Sequence, residues 1–125
     1  MNVPANLKYT KEHEWVSLEG DTVTIGVTDF AQQELGDIVF VEIETVGQSL
    51  AADEVFGTVE AVKTVSDLFL PVAGTILEFN EELTNAPEAI NTDPYGKGWM
   101  IKMKVDNIAD VEGLLSATAY QDLIG

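Results

Sequence analysis

The stretch Gly57-Thr58-Val59-Glu60-Ala61-Val62-Lys63-Thr64-Val65-Ser66-Asp67 decides the interpretation of this sequence. It links an apolar run rich in β-branched residues, 55–62, to a second run, 68–72. Apolar runs interrupted by Ser-Asp and then by Pro and Gly predict strands joined by bends rather than a helix. We therefore expect Lys63 to lie at or near a hairpin turn, on a rigid base and in contact with water.

Lys63 is the only lysine between Glu12 and Gly96, a stretch that has no arginine, and acidic residues surround it. A primary amine on a flexible stem suits acylation or Schiff-base chemistry. Schiff-base catalysis needs a deprotonated amine, whereas acidic surroundings stabilise the protonated form. Amide formation by a separate modifying enzyme does not need a lowered pKa. The alternative is a solvated lysine that only offsets local repulsion.

Charge excludes two classes of partner. The six basic residues are all lysine, and they stand against 22 acidic residues, for a formal net charge of −16. Nucleic acids and anionic membrane surfaces both select clustered Lys and Arg, so we expect neither as a partner. An acidic surface of this kind would instead steer the protein toward basic entrances on other proteins.

Composition indicates a folded protein without metal or catalytic machinery. Hydrophobic residues make up 46% of the 125-residue chain, which predicts one folded domain over 1–125. The absence of cysteine excludes disulfides, thiolate zinc sites and cysteine nucleophiles. A lone His13 makes a histidine metal site or triad hard to build. The start of the chain has neither a signal-peptide nor a transit-peptide pattern, so we expect a cytoplasmic protein. We also expect it to be a monomer.

Short strands dominate the predicted secondary structure. Residues Thr22–Val27, Ile38–Ile43 and Trp99–Val105 alternate as half-buried strands do. A short helix is expected between the first two, beginning at Asp29 and ending at Gly36. We also expect Trp15, Phe40, Phe79 and Trp99 to be core residues and His13 to be a packed imidazole.

The last 40 residues are expected to hold a loop, a strand and a helical tail. Residues 85–98 predict a loop with a β-turn at Asp93-Pro94-Tyr95-Gly96. Residues 110–115 and 118–124 predict two short helices packed on a sheet edge, the second opened by a capping box at Thr118 and Gln121. The whole pattern favours an all-β barrel or sandwich with a small helical tail.

The stretch around Lys63 resembles the lipoyl-attachment region of the glycine cleavage H-protein family. Four further segments resemble motifs of that family in the same order and spacing, so that the resemblance runs from Leu7 to about Lys104. They are His13-Glu14-Trp15-Val16, residues 25–31, residues 35–41, and Ile90 to Tyr95 continuing through Gly98-Trp99-Met100.

The resemblance implies a fold and a set of site residues. The fold is a lipoyl-type barrel-sandwich hybrid of two small antiparallel sheets with short helices, including a C-terminal helical tail. Lys63 would carry lipoic acid as an amide, and Glu60 would belong to the lipoylation consensus. Gly47 and Gly74 match the two glycines that flank the attachment site in lipoyl domains, although both could simply form turns.

The implied function is that of a shuttle rather than an enzyme. In the family, the lipoyl arm accepts an aminomethyl group from glycine on a pyridoxal-phosphate decarboxylase, the P protein. It yields that group to an aminomethyltransferase, the T protein, and is reoxidised by dihydrolipoyl dehydrogenase, the L protein. A lipoate-attaching enzyme would be a fourth partner. The cofactor does the chemistry, and the protein carries and presents the arm.

The resemblance also implies a surface cleft that shelters the loaded arm. Glu14 and Asp67 match positions of that cleft, where a carboxylate and partial exclusion of water would retain a cationic amine. Their alternative is ordinary surface charge. Glu12 departs from the family pattern, which often has a small polar residue there, and it could add a third carboxylate or simply face solvent.

Of four rival interpretations, two fit this sequence less well and two remain open. Lipoyl domains of 2-oxoacid dehydrogenases usually present Asp-Lys-Ala, and biotin carriers present Met on both sides of the lysine, whereas this chain has Val62-Lys63-Thr64. An H-like protein could instead serve lipoyl transfer to other complexes. An unmodified acidic β module that binds a basic partner would keep Lys63 as a free amine.

Overall fold

Two antiparallel sheets form the protein and confirm the predicted mainly β fold with short helices. The computed structural model describes all residues, 1–125. The elements are β1 (Lys8–Tyr9), β2 (Glu14–Glu19), β3 (Thr22–Val27), α1 (Asp29–Leu35), β4 (Ile38–Glu42), β5 (Ser49–Leu50), β6 (Val55–Ala61), β7 (Val65–Phe69), β8 (Gly74–Phe79), α2 (Glu82–Asn85), α3 (Ala89–Thr92), β9 (Ile101–Val105), α4 (Ile108–Glu112) and α5 (Ala117–Ile124).

The sheets differ in size. The larger has six strands in the order β1-β2-β3-β9-β8-β5, and the smaller has three in the order β4-β6-β7. Every strand pair is antiparallel. The smaller sheet therefore consists of the β6–β7 hairpin and one flanking strand, so that the hairpin predicted around Lys63 is the main part of a sheet.

The core lies between the two sheets. Val59 and Leu68 from the smaller sheet join Ile25, Ile76 and Met103 from the larger one in a cluster of 21 buried residues. Burial of apolar surface on this scale, at roughly 25 cal/mol per Å² removed from water, is the main stabilising contribution. A second, smaller cluster of four buried residues, Leu7, Tyr9, Trp15 and Tyr120, lies where α5 packs against β1 and β2.

Strand β9 confirms the predicted alternation but begins later than expected. Ile101, Met103 and Val105 are buried, whereas Lys104 is exposed. Trp99 precedes the strand, and its ring lies 5.0 Å from Nζ of Lys102. The two-residue period of the sequence was therefore sufficient to assign the faces of this strand.

Helix α1 begins at Asp29 as predicted, but the capping residue was predicted wrongly for both α1 and α5. Thr28, not Asp29, caps α1, because its hydroxyl accepts a hydrogen bond from the N–H of Ala31. Ser116, not Thr118, caps α5 in the same way through the N–H of Ala119. In each case the cap is the hydroxyl residue immediately before the first helical residue, because its side-chain oxygen reaches a free N–H of the first turn.

The prediction of a loop at 85–98 is partly wrong, because α3 lies within this range and α2 ends at Asn85. The predicted β-turn is confirmed by a 3.1 Å hydrogen bond from the N–H of Gly96 to the carbonyl of Asp93. The helical tail is confirmed at the sheet edge, where the rings of Tyr120 in α5 and Tyr9 in β1 stack with centroids 4.8 Å apart. None of the helices is long and apolar enough to cross a bilayer.

Three of the four predicted core aromatics are confirmed. Trp15 is buried, and Phe79 and Trp99 pack against the buried clusters. Phe40 contradicts the prediction, since 47% of it is exposed. A register shift between Ile38 and Phe40 breaks the alternation of β4, so that Val39 and Phe40 are both exposed while their neighbours on either side are buried.

Gly74 holds β8 close to β9, and this contact predicts the effect of a small substitution. A Cβ at this position would overlap the carbonyl oxygen of Lys104 and lie 3.0 Å from Cγ of Met103. We expect Gly74→Ala to lower the free energy of unfolding by about 1–3 kcal/mol in denaturant titrations. Gly113→Ala is the control, because its nearest neighbour would be 3.6 Å away, and equal stability of the two variants would contradict this account.

Candidate functional site

Lys63 lies at the tip of the β6–β7 hairpin, as predicted. Two backbone hydrogen bonds hold the turn: the N–H of Ala61 donates to the carbonyl of Thr64 at 2.7 Å, and the N–H of Val62 donates to the carbonyl of Asp37 at 3.0 Å. Lys63 is exposed. The one ion pair of the chain joins Lys104 to Asp21, so the Lys63 amine has no carboxylate within 4.0 Å. The turn therefore offers an unpaired primary amine on a fixed base.

The Lys63 side chain passes beside the end of helix α1. A Cβ on Gly36 would be 3.4 Å from Cε of Lys63, and Gly36 has a φ of 79°, a value that favours glycine. Asn91 fixes this segment. Its amide nitrogen donates to the carbonyl of Gly36 at 2.8 Å, and its amide oxygen accepts from the N–H of Ile38 at 2.9 Å. Sequence reasoning missed Asn91, because its partners are more than 50 residues away.

A cleft of about 190 Å³ lies between α1 and strand β7. It contains both residues that were predicted for a cleft, Glu14 and Asp67, together with Glu12 and His13. Its full lining comes from five elements and the loop before β2: Glu12, His13, Glu14, Val27, Ala31, Glu34, Leu35, Val59, Ser66, Asp67 and Leu68.

The cleft joins an apolar wall to an acidic rim. Val59 and Leu68 are buried core residues, whereas Glu12, Glu34 and Asp67 are exposed. Glu34 was missed by sequence reasoning, although it lies three residues after the buried Ala31 and so on the same side of α1. An apolar wall beside carboxylates suits a ligand that is apolar along its length and cationic at its end.

Glu14 is a buried carboxyl group rather than ordinary surface charge. Only 2% of it is exposed. Its Oε1 accepts from the hydroxyl of Thr10 at 3.0 Å, and its Oε2 accepts from the N–H of Phe69 at 3.1 Å. Burial raises the pKa of Glu14 to about 8, although both hydrogen bonds oppose the shift. At neutral pH the group is therefore mostly protonated, unless a cation enters the cleft.

His13 packs as expected, and it also links the cleft to the C-terminal helix. Its ring lies 4.7 Å from that of Phe30, and its Nδ1 is hydrogen-bonded to the hydroxyl of Tyr120 at 2.8 Å. The same hydroxyl is hydrogen-bonded to Oγ1 of Thr28 at 2.8 Å. Burial lowers the pKa of His13, against the opposing charges of Glu12 and Glu34. The imidazole is thus a structural part of the cleft wall.

Of the remaining predicted site residues, Glu60 lies in the same hairpin as Lys63, whereas Gly47 and Gly74 do not. Glu60 is exposed on β6, three residues before Lys63, and pairs with Val65 across the hairpin. Gly74 begins β8 in the other sheet and pairs with Leu50 of β5. Gly47 precedes β5, and its N–H donates to the carbonyl of Ile76 in β8. Neither glycine contacts the hairpin turn through the hydrogen bonds of the backbone.

The buried Glu14 predicts a specific pH dependence. Because the pKa of Glu14 is about 8 in the folded protein and 4.5 in its ordinary state, the folded state binds more protons between these values. The free energy of unfolding that this group contributes therefore decreases as pH rises from about 4.5 to 8. We expect Glu14→Gln to remove this decrease in denaturant titrations across that range. The exposed Glu19→Gln is the control, and identical pH profiles for the wild type and Glu14→Gln would contradict the assignment.

Comparisons with known proteins agree with this geometry. The profile of the glycine cleavage H-protein family matches residues 7–125. The chain is 59% identical to the glycine cleavage system H protein of Bacteroides fragilis over 99% of this chain and 98% of the relative. It is 61% identical to the H protein of Chlorobium luteolum over 100% of this chain and 99% of the relative.

The structural comparison extends this result to the fold. The crystal structure of a glycine cleavage system H protein from Mycobacterium marinum superimposes with a TM-score of 0.89 at 40% identity. The match covers 98% of this chain and 99% of that one. It confirms the barrel-sandwich architecture expected from the resemblance. The profile match, the full-length relatives and the shared fold together show that the chain belongs to the glycine cleavage H-protein family.

Proposed function

We propose that this protein is the lipoylated carrier of the glycine cleavage system and not itself an enzyme. Lipoic acid would be attached as an amide to Nζ of Lys63. When bound, the lipoyl group would supply the disulfide and dithiol chemistry that carries the aminomethyl group of glycine from the P protein to the T protein. The L protein would then reoxidise the lipoyl group. Family membership and the exposed, unpaired amine at the hairpin tip support this proposal.

The residues around Lys63 fit such a group. The amine has no carboxylate within ion-pair distance, so acylation breaks no ion pair. Gly36 leaves room beside the lysine stem, and the residue before it, Leu35 of α1, lines the cleft. The arm therefore has a fixed root and a neighbouring cleft with the polarity it would need.

Each predicted cleft residue has a role in this proposal. Asp67, Glu12 and Glu34 at the rim would attract a cationic amine on the loaded arm. Glu14 would meet that amine deeper in the cleft, where the cation would lower the pKa of Glu14 and favour the carboxylate. The apolar wall would exclude water from the adduct. Glu60 would be read by the lipoate-attaching enzyme, and Gly47 and Gly74 would support the attachment-site fold.

The setting of this function is a further part of the proposal. The lack of cysteine is compatible with a reducing compartment, and we propose that the protein acts in the cytoplasm as a monomer.

Lipoyl relay to other complexes differs from glycine cleavage in the acceptor, since the relay delivers the lipoyl group itself to another protein.

Lys63→Arg tests the attachment site. The variant keeps the positive charge but cannot form the amide under the same reaction, because the guanidinium stays protonated. After incubation with lipoate, ATP and a lipoate–protein ligase, we expect a lipoyl mass shift on the Lys63 peptide of the wild type and none in the variant. Glycine decarboxylation with P, T and L proteins should be lost in the variant, while its thermal unfolding is unchanged.

Lys97→Arg is the matched control, since Lys97 is also exposed. It should accept lipoate and support glycine decarboxylation as the wild type does. A wild-type protein that stays unmodified, or a Lys63→Arg variant that retains decarboxylation, would refute the carrier proposal. Lipoylated protein that transfers its lipoyl group to other complexes but does not support decarboxylation would favour the relay.

A further inference from the structure

The outer face of the three-stranded sheet carries two exposed apolar side chains in one row. Phe40 of β4 pairs with Glu60 of β6, and Glu60 pairs with Val65 of β7. Register partners in an antiparallel sheet share a face, so these three side chains lie side by side across the sheet. Phe40 is 47% exposed and Val65 is 64% exposed. We call this row the outer row.

The exposure of Phe40 in the outer row has a defined structural cause. The register shift between Ile38 and Phe40 turns the Phe40 side chain outward. Apolar groups grouped on a surface commonly mark an interaction site. The outer row therefore points to a partner that covers it.

The position of the outer row selects the partner. Glu60 and Val65 are the register pair next to the turn that bears Lys63, and at roughly 3.3 Å per strand residue they lie within about 10 Å of it along the chain. An enzyme that acylates Lys63 must bring its reacting carbon to about 3–3.5 Å from Nζ. Such an enzyme has to enclose the turn and cover its surroundings, whereas an enzyme that acts on the far end of the arm does not.

We propose that Phe40 and Val65 form the docking surface for the ATP-dependent ligase that attaches lipoate to Lys63. This inference rests on the carrier function proposed above. In the reaction, Nζ of Lys63 forms a bond to the carbonyl carbon of lipoyl-AMP. The bond between that carbon and the phosphate oxygen breaks, AMP leaves with the bonding electrons, and the amine gives up a proton. The docking surface holds the lysine in line for this attack.

Charge defines the complementary surface of the ligase. Glu60 lies between the two apolar side chains, and Glu42 follows Phe40 two residues further along β4; both are exposed. No lysine other than Lys63 occurs between residues 12 and 96. The matching surface is therefore an apolar strip bordered by lysine or arginine side chains.

The double variant Phe40→Thr/Val65→Thr tests the docking surface. Threonine keeps the β-propensity of both positions and removes apolar contact area. We expect the KM of the unmodified protein for the ligase to rise about tenfold with little change in kcat, because only binding is weakened. Lipoylation is followed by the intact mass of the protein at several protein concentrations.

Val46→Thr/Leu77→Thr is the matched control. These residues are 46% and 51% exposed, and they lie outside the three-stranded sheet, before β5 and in β8. The control should keep the wild-type KM. An equal rise in KM for both double variants, an unchanged KM for Phe40→Thr/Val65→Thr, or a loss confined to kcat would overturn the proposal. Thermal unfolding of each variant separates docking from misfolding.

A second measurement separates this inference from the carrier function. The Phe40→Thr/Val65→Thr variant is driven to complete lipoylation with excess ligase and then assayed for glycine decarboxylation. We expect a rate within about twofold of the wild type. If the rate of glycine decarboxylation falls as much as the efficiency of lipoylation, the outer row serves the glycine-cleaving enzymes, and its assignment to the ligase is overturned. A wild-type protein that is never lipoylated would refute the carrier function itself.

Discussion

The side chain of Asn91 is the constraint on which the geometry of the site depends. Its amide satisfies the carbonyl of Gly36 and the N–H of Ile38, and it also donates to the side chain of Gln32 at 3.1 Å. These bonds fix the short connection between α1 and β4. That connection supplies the carbonyl of Asp37, which accepts from Val62 in the lysine-bearing turn. One amide thus sets the position of the turn relative to the helix that borders the cleft.

This arrangement separates a hydrogen-bonded scaffold from a lysine side chain without polar partners. The turn is held by backbone hydrogen bonds at both sides, while the lysine stem above it has no polar partner of its own. The cleft beside it has an apolar wall and an acidic rim, and burial raises the pKa of its one deeply buried carboxyl group, Glu14, to about 8. A carboxyl group that ionises only when a cation approaches avoids much of the cost of a permanent buried charge.

The sequence predicted the features that depend on local pattern. The alternation of apolar and polar residues predicted β3 and the faces of β9. The hairpin tip was predicted from Lys63, which is the only lysine in an acidic stretch and lies between two strand-like runs. The exact caps were missed because Thr28 and Asp29 both have capping side chains, and only geometry decides between them. The role of Asn91 could not be predicted from the sequence, because it depends on contacts across the fold. The exposure of Phe40 could not be predicted either, because it depends on a register shift within β4.

In the proposed carrier, the loaded arm would occupy the cleft beside Glu14. The backbone N–H of Phe69 donates to Oε2 of Glu14, so its amide resonance reports directly on that carboxyl group. We propose recording ¹⁵N–¹H spectra of the lipoylated protein before and after loading from glycine by the P protein. The account predicts shifts at Phe69 and at the cleft residues of α1, with Met103 in the other sheet unchanged. Shifts confined to the hairpin tip, with Phe69 unmoved, would contradict it.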